Sequence, residues 1–254
     1  MKKIIALIIL ILGLYTVSFS KENSLARVKK EGKFIIGLDD TFAPMGFRDE
    51  NGEIVGFDID LAKETAKRMG VKVEFKPCEW DGILFELNGG KIDMVWNGMS
   101  ITPAREKQAS FSKPYYQGGQ VIFTKKDNKI SKVDQLAGKV VGLQLGSTGD
   151  YALQNSSVFT KVKKVKKYGT LVESLMDLEA GRLDAVIAAS SAGGYYNSKN
   201  KTLAMSSESL LEGDGSGVAF RKKDVSLREE IDRIIDEMKR DGTYKKISVK
   251  WFGE

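Results

Sequence analysis

Gly98-Met99-Ser100-Ile101-Thr102-Pro103-Ala104-Arg105 is the stretch on which the reading of this 254-residue chain turns. A glycine frees backbone N–H groups, two hydroxyls follow, and a proline suits the first turn of a helix. One turn on, an arginine offers a planar fork of donors that matches a carboxylate bidentately. Apolar Met94-Val95-Trp96 precedes it and reads as a buried strand, so the stretch falls at the carboxyl end of a strand, where open α/β sheets place ligands. It is therefore an anion cradle, or else Ser100 and Thr102 cap a helix and Arg105 is a solvated surface residue. The octapeptide alone leaves both readings open.

Outward from the cradle, the preceding sequence alternates strands and helices. Residues 23–31 read as a short amphipathic helix closed by Gly32, and Phe34-Ile35-Ile36-Gly37-Leu38 as a buried strand. Asp39-Asp40-Thr41-Phe42 is the loop at that strand's end, where a carboxylate beside an aromatic can meet a cation and its apolar stem, or cap a helix beside a core phenylalanine. Asp49-Glu50-Asn51-Gly52 signals a hairpin turn, and Asp58 stands where it can cap a helix with Ile59, Ala62, Ala66 and Met69 on one stripe. Val71, Val73 and Phe75 alternate as the next strand, followed by a loop that carries Trp80. Three loops at corresponding strand ends thus bring Phe42, Trp80 and the cradle together. A flat apolar guest fits between the two rings with its anionic end on Arg105; the competing role for Trp80 is in the core.

Residues 111–119 are aromatic and end in two glycines, as a crossing between two lobes would, and a second α/β unit follows. Its strand Val140-Val141-Gly142-Leu143 opens on Gln144-Leu145-Gly146-Ser147-Thr148, a turn before a helix whose free N–H groups can bind an anion or be capped. Set opposite Arg105, that turn lets one carboxylate bridge both lobes. Lysines in residues 161–167 read as the solvated face of an exposed strand, charged against edge pairing, rather than as a nucleic-acid patch. Residues 210–216 are Gly-rich and polar, a second crossing, and residues 217–220 a strand returning to the first lobe.

Composition narrows the function classes. The chain is 42% hydrophobic and 29% charged, with net charge +6, one cysteine and no histidine. A Ser/His/Asp or Cys/His triad is excluded, and the usual zinc ligands are missing. Lys2 and Lys3 lead into apolar residues 4–14 with Ser18 and Ser20 beyond, a secretory signal peptide too short to span a bilayer. Cys78 lies far from the cleavage point, so no lipid anchor is expected.

With these elements in order, the chain resembles the periplasmic amino-acid-binding proteins of ABC importers, the polar amino-acid family. The likeness rests on Ala43-Pro44, Gly56-Phe57-Asp58-Ile59-Asp60-Leu61-Ala62, the run from Asp93 through Arg105, Phe111-Ser112-Lys113-Pro114-Tyr115-Tyr116, Gly181-Arg182-Leu183-Asp184-Ala185-Val186 and Trp251-Phe252-Gly253. It implies a two-lobed periplasmic-binding-protein fold of type II: two α/β lobes joined by two hinge crossings. Residues 1–20 would be the signal peptide, 21–116 with 214–254 the first lobe, and 117–213 the second. Carried over, Arg105 takes the α-carboxylate with Ser147 and Thr148, while the Gly98 carbonyl and Ser100 hydroxyl accept from the α-ammonium. Phe42 and Trp80 sandwich the side chain, and Asp39 and Gln144 face its polar end.

One position departs. Ala189 stands where the family commonly has an aspartate for the ammonium, and losing one partner of a buried charge pair costs roughly 3–5 kcal/mol. Asp39 or Asp40 supplies the charge, or the ligand has no α-ammonium, or binding is weak and the protein has another task; the first is the expectation. The implied function is capture of an amino acid for an ABC permease by a periplasmic monomer, with no cofactor, metal, nucleic acid or covalent chemistry. The alternative is an enzyme on the same scaffold, similar to cyclohexadienyl dehydratases, for which Glu79, Asp81 and Glu173 are candidate acids.

Overall fold

The computed structural model describes residues 23–128, 130–206 and 215–253. The signal-peptide segment and residues 210–214 of the second crossing lie outside them. Helix α1 (Ser24–Glu31) starts on the Asn23 side chain, which accepts from the Ala26 N–H, and ends at Gly32 with φ of 70°.

Strand β1 (Lys33–Leu38) then runs parallel to both β5 (Lys72–Pro77) and β6 (Met94–Val95). Between them lie a small antiparallel sheet of β2 (Thr41–Phe42), β3 (Gly46–Arg48) and β4 (Ile54–Val55), then helices α2 (Phe57–Met69) and α3 (Ile83–Asn88). Helix α4 (Pro103–Glu106) carries Arg105, and β7 (Ser110–Phe111) follows.

A second sheet begins with β8 (Gln120–Lys125) and β9 (Val140–Gln144), then α5 (Thr148–Gln154), β10 (Lys164–Tyr168), α6 (Leu171–Glu179), β11 (Ala185–Ala189), α7 (Ser190–Asn200) and β12 (Leu203–Met205). The chain then returns. Strand β13 (Ala219–Phe220) inserts antiparallel between β6 and β7, and helices α8 (Val225–Arg240) and α9 (Thr243–Phe252) finish the chain. The first sheet has the order β5-β1-β6-β13-β7 and the second β10-β9-β11-β8-β12, so each lobe has its own sheet and the first is completed from beyond the second.

Packing follows the residue pattern. The interior end of β1 is buried, as a parallel strand covered on both faces must be, and Leu227, Ile231, Ile234, Ile235 and Met238 form the inward stripe of α8. Strand β10, with its lysines, is the edge of the second sheet, as its charge pattern implies. Gly56, at φ of 145°, is required: a Cβ there would lie 2.2 Å from the Met45 carbonyl oxygen.

One capping expectation fails. Gly56, not Asp58, occupies the cap of α2; the fully buried Asp58 carboxylate reaches across to the cradle, its Oδ2 accepting from the Gly98 N–H at 2.7 Å. Asp58 lies inside the first turn, where its side chain leaves the helix toward β6 rather than back to the N-terminal amides.

The buried Arg221, just past β13, holds the first lobe's floor together. Its Nη1 donates to the Leu87 and Ile92 carbonyls at 3.1 and 2.6 Å, and its Nε lies 2.7 Å from Asp224. Replacing it with leucine breaks the 2.7 Å ion pair with buried Asp224 and frees the Leu87 and Ile92 carbonyls, so the unfolding free energy should fall by about 3–5 kcal/mol in urea titration. A loss under 1 kcal/mol would contradict this role.

Candidate functional site

The cradle is built by local sequence. Thr102 caps α4, its Oγ1 accepting from the Arg105 N–H at 3.3 Å, and Pro103 starts the helix. Gly98 has φ of 63°, and a Cβ there would press on Phe42 and Met45 at 3.2 and 3.1 Å, so the glycine lets the backbone and the Phe42 ring meet closely.

The guanidinium of Arg105 spans the two lobes. Its Nη1 donates to the Ser100 carbonyl and to the Thr148 hydroxyl, both at 3.0 Å, and its Nη2 to the Gly146 carbonyl at 3.2 Å. Its carbon centre lies 5.6 Å from the Trp80 ring centroid, over the indole face. Among the described residues no carboxylate pairs with it, and burial lowers its pKa to about 10. A partly buried cation facing neutral dipoles has charge left to offer an anion.

A second link between lobes lies at the other end. Asp39 is buried, and its Oδ2 accepts from Gln144 Nε2 at 2.7 Å while its Oδ1 accepts from the Thr41 N–H and hydroxyl at 2.9 and 2.6 Å. Gln144 also donates to the Gly169 carbonyl at 3.0 Å. A carboxylate has about four lone-pair positions, so Asp39 retains capacity for one further donor. Asp40 does not share this role, because it is held by Arg48 Nε at 2.5 Å.

Between these ends, Phe42 and Trp80 lie nearly parallel, 17° between planes and 6.5 Å between centroids. They flank a cavity that is also lined by Gly98, Ser100, Gln144, Ser147 and Thr148. Neither Arg105 nor Asp39 is on that wall; Asp39 stands behind Gln144, which is. The hydrogen bonds of Arg105 draw its head past Trp80, where it lines a second interlobe cavity; Trp80, Ser147 and Thr148 border both.

Four other lining residues escape sequence reasoning: Gln120, Leu171, Ile187 and Ala188. Gln120 pairs with Ala189 in the antiparallel register of β8 and β11, and that long-range register brings both to the cavity. No short motif marks it. Ala189 does line the cavity, so the departure noted in the sequence falls at the site itself. Of the candidate enzymic acids, Glu173 is engaged in capping α6, its Oε2 accepting from the Thr170 N–H at 3.0 Å.

Two α/β lobes, a cavity between them and two polar links across it define a ligand-capturing protein of the type II periplasmic-binding class. Comparison narrows this. Residues 34–254 match the bacterial extracellular solute-binding proteins, family 3, and the chain belongs to that family. It is 35% identical to an L-cystine-binding protein of Escherichia coli K12, covering 96% of this chain and 91% of the relative. It is also 35% identical to the lysine/arginine/ornithine-binding periplasmic protein of Escherichia coli K12, covering 99% and 97%. Among solved structures, an ancestral arginine-binding protein bound to arginine is 46% identical, with a TM-score of 0.83 over 87% of this chain and 98% of that one.

The unpaired guanidinium makes a prediction about stability. Arg105→Met removes a desolvated charge at no cost in ion pairing, so the ligand-free variant should unfold at the same urea concentration as the parent or a higher one. A loss above about 1 kcal/mol would show that the three hydrogen bonds outweigh the charge burial.

Proposed function

We propose that the protein captures a free amino acid with a cationic side chain between its lobes and delivers it to an ABC permease after export to the periplasm. The lobes of this reading are residues 21–116 with 214–254, and 117–213. The observation that carries it is two polar links of opposite charge between the lobes: the Arg105 guanidinium, with no carboxylate partner among the described residues, and the buried Asp39 carboxylate with spare acceptor capacity. Their respective partners, Thr148 and Gln144, both line the cavity beside two parallel rings. The ligand carboxylate goes to Arg105 and the turn at Ser147 and Thr148. Its aliphatic stem lies between Phe42 and Trp80, and its terminal cation faces Asp39. Two of the three relatives are named for arginine or for lysine, arginine and ornithine, which supports the cationic side chain; the third is named for L-cystine. They are binding proteins, which supports capture and release without covalent chemistry.

Each end joins a residue of one lobe to a residue of the other. A ligand that contacts both lobes binds their closed arrangement selectively, and the permease reads that arrangement. Asp39 serves the side-chain end in this reading, so it does not replace the carboxylate that Ala189 lacks.

A thermal-shift screen against the common amino acids tests this. At a hundredfold excess over Kd, a ligand stabilises by about 2.7 kcal/mol, or about 5–10 °C for a chain of this size. L-arginine or L-lysine should give that shift, and a screen in which no amino acid moves Tm by 1 °C would refute the reading. In calorimetry, Arg105→Ala should weaken L-arginine binding by more than a hundredfold. Asp39→Asn should cost about tenfold or more for L-arginine and much less for L-glutamine; equal losses would place the side chain elsewhere.

A further inference from the structure

Among the described residues no carboxylate lines the cavity between Phe42 and Trp80, and from β11 it is lined by Ile187, Ala188 and Ala189. A buried carboxylate nevertheless stands directly behind that wall. Asp58 is 0% exposed, and its Oδ2 accepts from the Gly98 N–H at 2.7 Å and from the Tyr115 hydroxyl at 2.9 Å. Its Oδ1 has no hydrogen-bond partner, and among the described residues no cation pairs with it. Gly98, which has no side chain, both donates to this carboxylate and lines the cavity. The Gly98 carbonyl is fixed from the other direction by the Ser216 hydroxyl at 3.1 Å.

We propose that Asp58 is the counter-charge for the ligand's α-ammonium, acting across Gly98 as a positioning and specificity-determining residue. The inference rests on the amino-acid reading of the cleft above. It places the missing negative charge behind the cradle instead of at Ala189. The same carboxylate ties the cradle to the hinge, because Tyr115 belongs to the first crossing and its N–H donates to the carbonyl of Ser216 in the second, at 2.9 Å.

Electrostatics give the idea a measurable signature. Burial pushes the Asp58 carboxyl up to about 7, against the hydrogen bonds from Tyr115 and Gly98, which favour its ionised form. The titratable groups facing it are the phenols of Tyr115, from the crossing, and Tyr244, from α9. Both are raised, Tyr115 well above its ordinary value and Tyr244 to about 12, so neither changes charge near neutrality. A cation arriving on the far side of Gly98 favours ionised Asp58. By linkage, binding then releases a proton near pH 7, and affinity rises with pH.

The experiment is calorimetry with L-arginine between pH 6 and pH 8, in pairs of buffers with different ionisation enthalpies, on the parent and on Asp58→Asn. The parent should bind about three- to tenfold more tightly at pH 8 and release protons. Asp58→Asn, close in shape and able to accept from Gly98, should match the parent within about twofold at pH 6, with a flat profile and no proton release. The parent's pH dependence should also vanish for 5-guanidinopentanoate, which is arginine without its α-ammonium. If Asp58→Asn keeps the parent's profile, or changes only Tm, Asp58 is structural and the proposal is overturned. If Asp58→Asn does not fold, Tyr115→Phe removes a donor to the same carboxylate and should move the midpoint to higher pH; an unmoved midpoint overturns the proposal. Absence of L-arginine binding at every pH removes the ligand reading and this proposal together, whereas binding with a flat parent profile removes only the role of Asp58.

Discussion

The structure depends on a partly buried guanidinium that, among the described residues, no carboxylate meets. Arg105 spends its donors on the carbonyls of Ser100 and Gly146 and on the Thr148 hydroxyl, and rests on the Trp80 face. Neutral dipoles and a ring quadrupole only partly offset lost hydration, and burial lowers the guanidinium pKa. Such an arrangement is poor as a stability device and good as a receptor. A carboxylate ligand can replace weaker acceptors with a charge-assisted, bidentate pair in a low-dielectric setting.

The other features serve that centre. Thr102 and Pro103 set the short helix that aims Arg105, and Gly98 lets Phe42 come close without a Cβ in the way. The turn at residues 146–148 follows β9, so the second sheet brings it to meet the first lobe's arginine. At the opposite end Asp39 and Gln144 make the second crossing contact. Two polar links of opposite charge, with an aromatic pair beside the cavity, underlie the proposed orientation of the ligand.

Much of this was legible in the sequence, because its causes are local. The buried run of β1, the stripe of α8, the Thr170 capping box and the lysines of the β10 edge are each read within about a dozen residues. So were Phe42, Trp80 and the two loops that carry Arg105 and Thr148, since each ends a strand of recognisable pattern. What escaped depends on distant pairing. Gln120 reaches the cavity through its register with Ala189, and Asp58 looked like a helix cap because nothing in its own turn reveals Gly98 forty residues away. The displacement of Arg105 to the far side of Trp80 is set by the Gly146 and Thr148 acceptors of the other lobe.

The central claim is that one small carboxylate is gripped from both lobes at once. A crystal structure of the L-arginine complex measures this directly. The account predicts that the ligand carboxylate makes a bidentate pair with Arg105 and also accepts from Ser147 or Thr148, while the ligand guanidinium lies against Asp39. A carboxylate held by one lobe alone, or a ligand lying in the reverse direction with its side chain at Arg105, would contradict it.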